Sequence, residues 1–291
     1  MVKKRQLSDP AITPAVQIWL AEQTSAGHSR ATLFKSLRAS GWQSAQAAHI
    51  MSLTADERQL FDGVVQPCQT QPSTRMPQPK LIFHDVQVDG GDKWVRVLQH
   101  RTAPDLIEFE GLLSDAECDA LIQAAQPRLS RSLTVDVQTG GHEIHPDRSS
   151  QGMFFECAEN PLIVTIETRI ARLLQWPATH GENLQILRYP PGAQYLPHYD
   201  YFDPAQAGTV ELLKRGGQRV ATLIMYLREP DSGGATIFPD IDLAVSPKRG
   251  NAVFFSYAAP EASTLTLHGG EPVTTGEKWI ATKWLRQSVF E

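Results

Sequence analysis

Pro197-His198-Tyr199-Asp200 sets an imidazole and a carboxylate two positions apart. Side chains alternate along a strand, so His198 and Asp200 would point to one face. A third ligand is needed to hold a transition metal, and His268 offers it, after the β-like run STLTL and before Gly269-Gly270. Two histidines and one carboxylate on one side of a metal leave positions open on the other. Non-haem iron(II) uses this arrangement to take up an oxidisable co-substrate and dioxygen together. A lone His-x-Asp pair is more often a strand-edge salt bridge, and Lys278 is what separates the two readings. It opens GEKWIATKWL, a strand pattern that is otherwise apolar. A lysine aimed into an apolar barrel is costly unless an anion meets it. The distal carboxylate of 2-oxoglutarate is an anion that suits the place.

Ligands so far apart in the chain meet only if distant strands pair. From Leu184 onward LQILRY, RVATLIMYL, GATIFP, LAVSP, NAVFFSY, STLTLHGG and KWIATKWL are short β-like runs divided by Gly, Pro and Asp. That spacing predicts an all-β sandwich or barrel. Upstream, VQVDGGDKWVRVLQ alternates apolar and polar residues on both sides of Asp89-Gly90-Gly91-Asp92 and reads as a β-hairpin. Two helices should brace the sheet. Ser114 with Glu117 has the form of a capping box ahead of Cys118, Leu121 and Ile122, and Asn160-Pro161 opens a second helix running to Leu174, with proline at its first position. Residues 1–65 read as a small helical unit, because Val16, Ile18, Trp19 and Leu20, then Leu33, Phe34 and Leu37, recur at helical spacing, with Gly27 and Gly41 as stops. QPCQTQPSTRMPQPK, residues 66–80, has four prolines and little to bury, so it reads as a linker to a domain over 81–291.

Composition excludes several function classes. A net charge of -5 and one short basic run, Lys3-Lys4-Arg5, give no field that would recruit nucleic acid. No window reaches the roughly 18 to 20 apolar residues of a membrane span. Cys68, Cys118 and Cys157 are odd in number and lack CxxC spacing, which argues against a disulfide framework or a structural zinc site. A cytoplasmic location is expected.

In order along the chain, LQILRYPPGAQYLPHYDYFDP, RVATLIMYL, GGATIFPDIDLAVSPKRGNAVFF and LHGGEPVTTGEKWIATKWLR resemble the catalytic domain of the prolyl 4-hydroxylase family, most of all its bacterial branch, across residues 106–288. The resemblance implies a mainly β fold with supporting helices, a double-stranded β-helix or jelly roll. It also implies a dioxygenase that uses iron(II), 2-oxoglutarate and O2 to hydroxylate a C–H bond, releasing succinate and carbon dioxide, with ascorbate as reductant. Carried over residue by residue, the iron ligands fall on His198, Asp200 and His268, and the co-substrate residues on Lys278, Tyr189 and Thr222. Tyr195, Arg148 and Trp284 match positions along the substrate channel, and Ser149 stands where relatives often have threonine. A prolyl residue in a peptide or protein is the implied substrate. A free amino acid or other small molecule is the alternative, and a non-catalytic metal-binding jelly roll would have no use for both the triad and the lysine. Residues 134–151, TVDVQTGGHEIHPDRSSQ, have the Gly-rich, charged character of a lid able to fold over an extended chain. Aromatic side chains suit proline, whose ring is apolar and whose preformed backbone loses little entropy on docking.

Overall fold

A computed structural model describes residues 76–131, 134–135, 142–143, 149–206 and 208–291, together with 44–53 and positions 20, 24, 30, 33, 34 and 37. The chain divides into two units, Met1–Ser73 and Thr74–Glu291. In the first, helix α1 (Ser44–Ile50) contributes Ala47 and Ala48 to a small cluster with Phe34 and Leu37, against which Leu20, Met51 and Leu53 pack. Leu33, Phe34 and Leu37 are helical and buried, as their spacing predicts. The rest of the helical reading across 12–62, and the linker reading for 66–75, lie outside the described residues.

The second unit opens with a hairpin stack. Strands β1 (Phe83–His84), β2 (Gln87–Asp89) and β3 (Trp94–Thr102) pair antiparallel, and β3 turns back into β4 (Asp105–Glu110). Between β2 and β3 the Asp89 carboxylate accepts from the Gly91 amide at 2.7 Å, and Gly91 sits at φ 90°, a conformation glycine adopts without strain. Helix α2 (Asp115–Ala125) starts on the expected box: Ser114 Oγ accepts from the Glu117 amide at 3.3 Å while Glu117 accepts from the Ser114 amide at 2.8 Å. Strand β5 (Ser130–Arg131) and the pair β6 (Thr134–Val135) and β7 (His142–Glu143) lead to β8 (Gln151–Phe155). Thus the described part of the lid segment forms a short antiparallel pair where an open loop was expected. Helix α3 (Pro161–Leu174), capped by the Asn160 side chain, buries Ile163, Ile166, Ile170, Leu173 and Leu174 at steps of three and four, one face of a helix.

Then come β9 (Leu184–Tyr189), β10 (Tyr195–His198), the short helix α4 (Thr209–Leu213) and β11 (Arg219–Arg228). The remaining strands are β12 (Ser232–Gly233), β13 (Thr236–Phe238), β14 (Leu243–Val245), β15 (Ala252–Ser256), β16 (His268–Gly270), β17 (Val273–Thr275) and β18 (Lys278–Arg286). Two sheets carry the core. The larger runs β1-β2-β3-β4-β15-β11-β18-β9-β8-β5 and the smaller β10-β16-β13-β14, so strands distant in sequence are neighbours, as a double-stranded β-helix requires. Phe109, Phe155, Leu223, Phe238, Phe254 and Phe255 fill the core with at most 1% of their surface exposed. Among the described residues no helix is long and apolar enough to cross a membrane.

Two local expectations need correction. The run STLTL is not a strand. Ala262–Thr264 form a 3-10 turn and Leu265 adopts φ 55°, while Thr264 Oγ1 donates to the Glu261 carbonyl at 2.7 Å and Ser263 to the Glu261 carboxylate at 3.1 Å. Such side-chain bonds offer the backbone an alternative to the ladder. The second concerns Met76 to Lys80, the end of the Pro-rich stretch, which lies along the barrel. The Met76 amide donates to the Ala258 carbonyl at 2.8 Å, Lys80 to that of Leu174 at 3.1 Å, and the Met76 side chain is buried.

Candidate active site

Strands β10 and β16 pair with His198 directly opposite His268, and the ring centroids lie 4.4 Å apart. Glycine follows His268 for a steric reason: a Cβ at Gly269 would come within 2.9 Å of the Tyr195 carbonyl oxygen on β10. Strand β10 ends at His198, so Asp200 reaches the site from the turn beyond it and not through strand alternation. Its Oδ1 lies 3.6 Å from His198 Nε2 and its Oδ2 3.4 Å from His268 Nε2. One ligand-capable atom from each of the three residues falls within 4.8 Å of the other two.

Both imidazoles are set for ligation. His198 Nδ1 lies 2.9 Å from the Leu196 carbonyl and His268 Nδ1 3.0 Å from that of Thr266. A carbonyl only accepts, so each Nδ1 carries a proton, and each Nε2 is the ring nitrogen that faces the other two groups. Burial pushes the His268 imidazole down to about 4, so it is neutral at physiological pH. Burial acts on Asp200 in the opposite sense, but His268, His198 and Arg219 outweigh it and hold the carboxyl well below the usual range, ionised. Arg219, ion-paired to Glu182 at 2.6 Å, donates to the Asp200 backbone carbonyl at 3.3 Å and covers the Trp284 ring at 4.1 Å.

The wall behind the triad comes from the same faces of three adjacent strands. Thr222, Ile224 and Tyr226 on β11 stand opposite Trp284, Thr282 and Ile280 on β18, and Lys278 and Ile280 stand opposite Tyr189 and Leu187 on β9. Lys278 is 3% exposed, with its Nζ 5.6 Å from the Tyr189 ring and 5.8 Å from the Tyr226 ring. Among the described residues it makes no ion pair. Desolvation pulls its ammonium down to about 8, with Glu271 opposing. A buried cation without a carboxylate is the electrostatic complement of an incoming anion.

The other expected site residues are placed as follows. Tyr189, Thr222, Tyr195 and Trp284 line the same pocket as the triad and Lys278. Tyr195 stacks on His198 at 3.8 Å. The Trp284 indole N–H is buried and finds no acceptor among the described residues. The Thr222 hydroxyl donates to Asp200 Oδ2 at 2.6 Å. Arg148 lies outside the described residues. Sequence reasoning missed Tyr226, Tyr257, Arg219 and Glu182. Tyr226 was within reach, since it stands at an even spacing from Thr222 on one strand. The others owe their place to pairings between distant segments.

Residues 184–286 match the 2OG-Fe(II) oxygenase superfamily. Prolyl 4-hydroxylase 1 of Arabidopsis thaliana is 44% identical over 202 residues, spanning 64% of this chain and 70% of that protein. Probable prolyl 4-hydroxylase 3 of the same plant is 38% identical over 222 residues, spanning 69% of this chain and 75% of that protein. Among solved structures, the 2OG complex of the viral collagen prolyl hydroxylase from Paramecium Bursaria Chlorella virus-1 is similar at 32% identity and a TM-score of 0.49, covering 62% of this chain and 95% of that one.

Proposed function

We infer that this chain, which belongs to the 2OG-Fe(II) oxygenase family and has prolyl 4-hydroxylases as relatives, hydroxylates a prolyl residue of a peptide or protein while converting 2-oxoglutarate and dioxygen to succinate and carbon dioxide. The observation that carries the reading is the meeting, in one pocket, of three convergent ligand atoms and a buried lysine that makes no ion pair among the described residues. Two imidazoles and one ionised carboxylate fit a divalent non-haem iron and leave the side toward the pocket open. His198, Asp200 and His268 would hold iron(II), which when bound supplies the oxygen activation that attack on a C–H bond needs.

The remaining work falls to this chain's own side chains. Lys278 holds the distal carboxylate of 2-oxoglutarate, flanked by the Tyr189 and Tyr226 rings, while Ile224 and Ile280 keep water from screening the pair. Thr222 lines the same pocket and steadies Asp200. Trp284, fixed under Arg219, and Tyr195, stacked on His198, border the approach of the substrate. Placement in the bacterial branch rests on the wording of the four motifs; the curated relatives named above are plant proteins. A cytoplasmic location is our reading of the cysteine usage.

Given iron(II), 2-oxoglutarate and air, the full-length protein should release succinate in step with oxygenation of a proline-rich peptide, with the added oxygen located on proline by mass spectrometry. His198→Ala and His268→Ala should each abolish both products and leave the far-ultraviolet circular dichroism unchanged. Brisk turnover of free proline without response to any peptide would overturn the peptide reading. Undiminished succinate release from His198→Ala would overturn the site.

A further inference from the structure

We propose that Tyr257 is a positioning residue for Asp200, acting through Thr222, an inference that rests on the metal-site reading above. Thr222 Oγ1 lies 2.6 Å from Asp200 Oδ2 and 3.1 Å from the Tyr257 hydroxyl. All three side chains are buried, at 7%, 0% and 1% exposure for Asp200, Thr222 and Tyr257. A threonine hydroxyl has one proton to give, and an ionised carboxylate can only accept. The Thr222 proton therefore goes to Asp200, and Tyr257 must donate its own to Thr222. The result is a directed chain, phenol to hydroxyl to carboxylate, in which each bond polarises the next. Burial and the nearby Asp200 charge push the phenol well above its ordinary range, so it remains a donor.

Asp200 needs such a device because it stands past the last residue of β10, where no ladder bond fixes its side chain. The elements behind the chain are rigid by contrast. Thr222 sits in β11, paired on one side to β15 and on the other to β18. Tyr257 directly follows β15, and its amide donates to the Val220 carbonyl at 3.0 Å. Its ring packs against those of Tyr201 and Phe255, with centroids 6.1 Å and 6.4 Å away. With Oδ2 engaged by Thr222, the carboxylate plane is held and Oδ1 stays on the His198 side. A phenol in the core for packing alone would not need its hydroxyl directed at the partner of a metal ligand.

The test is Mn(II) binding to the full chain without 2-oxoglutarate, followed by the paramagnetic resonance signal of free Mn(II). Thr222→Val should weaken binding by about 10- to 100-fold, the usual effect of removing a partner of a ligand, and Tyr257→Phe by about 3- to 10-fold because it acts one bond further out. Thr222→Ser, which restores the hydroxyl, should bind close to wild type. The Tyr257→Phe/Thr222→Val double variant should bind no more weakly than Thr222→Val alone, since Tyr257 has no route to the metal once the hydroxyl is gone. Should Thr222→Val fail to fold, Tyr257→Phe against Thr222→Ser makes the same comparison. Wild-type affinity in Tyr257→Phe, or losses that multiply in the double variant, would overturn the proposal and leave the metal site standing. Absence of Mn(II) binding by the wild type would overturn the metal site and the positioning role with it.

Discussion

Replacing Lys278 with methionine keeps most of the side-chain length and removes the charge, and two effects of opposite sign should follow. The ammonium is 3% exposed, lies between the Tyr189 and Tyr226 rings, and is lowered by burial from 10.5 to about 8. At about 1.4 kcal/mol per tenfold, that depression costs the ligand-free protein on the order of 3 kcal/mol near neutral pH. Between the folded and unfolded values the unfolded chain binds more protons, so the cost is fully present below pH 8 and is relieved as pH rises toward 10.5. Lys278→Met should therefore stabilise the ligand-free protein at pH 7 by up to about 3 kcal/mol, and the gain should fade by pH 10.5. Co-substrate binding should move the other way. A buried carboxylate deprived of its cation loses about 3 to 5 kcal/mol, roughly two to nearly four decades in Kd. In the wild type, 2-oxoglutarate affinity should hold below pH 8 and fall about tenfold per unit above it, because only the protonated lysine pairs with the anion. Urea unfolding at pH 7 and pH 10 reads the first effect, and anaerobic calorimetry of 2-oxoglutarate binding with Mn(II) reads the second. An unchanged Kd in Lys278→Met would refute the role given to the lysine. A variant less stable than wild type at pH 7 would refute the claim that its charge is uncompensated.

The pair of Lys283 Nζ and Glu167 Oε1, 2.5 Å apart with both side chains under a tenth exposed, braces α3 against β18; Glu167→Gln leaves the ammonium buried without a counter-charge and should lower stability by about 3 to 5 kcal/mol, read as an earlier urea midpoint. Removing residues 1–73 should leave a folded protein that still binds Mn(II) and 2-oxoglutarate. Removing 1–80 should cost a further 2 to 5 kcal/mol or so, because it also extracts the buried Met76 side chain. Thermal unfolding of the two truncations checks this, and equal melting temperatures would show that the Met76–Lys80 strap contributes nothing.

Much of the local structure was readable because its causes are local. Ser114 with Glu117 and Asn160 with Pro161 announced two helices that start where those residues place them. Period-two alternation marked β2 and β3, and the apolar runs marked β9, β11, β15 and β18. Where a neighbouring side chain competes with the ladder, the same reasoning failed. Thr264 and Ser263 bond to Glu261, and the run before His268 becomes a turn. Asp200 was expected to share a face with His198 by alternation, yet the strand stops one residue past Pro197 and the turn carries the carboxylate in.

The sequence by itself determined which groups could bind a metal and an anion, since an imidazole, a carboxylate and an ammonium carry their chemistry wherever the chain puts them. Only the tertiary structure decided that they meet. The register that sets His198 against His268, the face shared by β11, β18 and β9, and the burial of Lys278 between the Tyr189 and Tyr226 rings each depend on segments tens of residues apart. The same holds for Tyr257, whose reach to Asp200 through Thr222 exists only because β15 lies beside β11. Periodicity and capping act over a few residues, whereas strand register and burial follow from how the whole chain closes on itself.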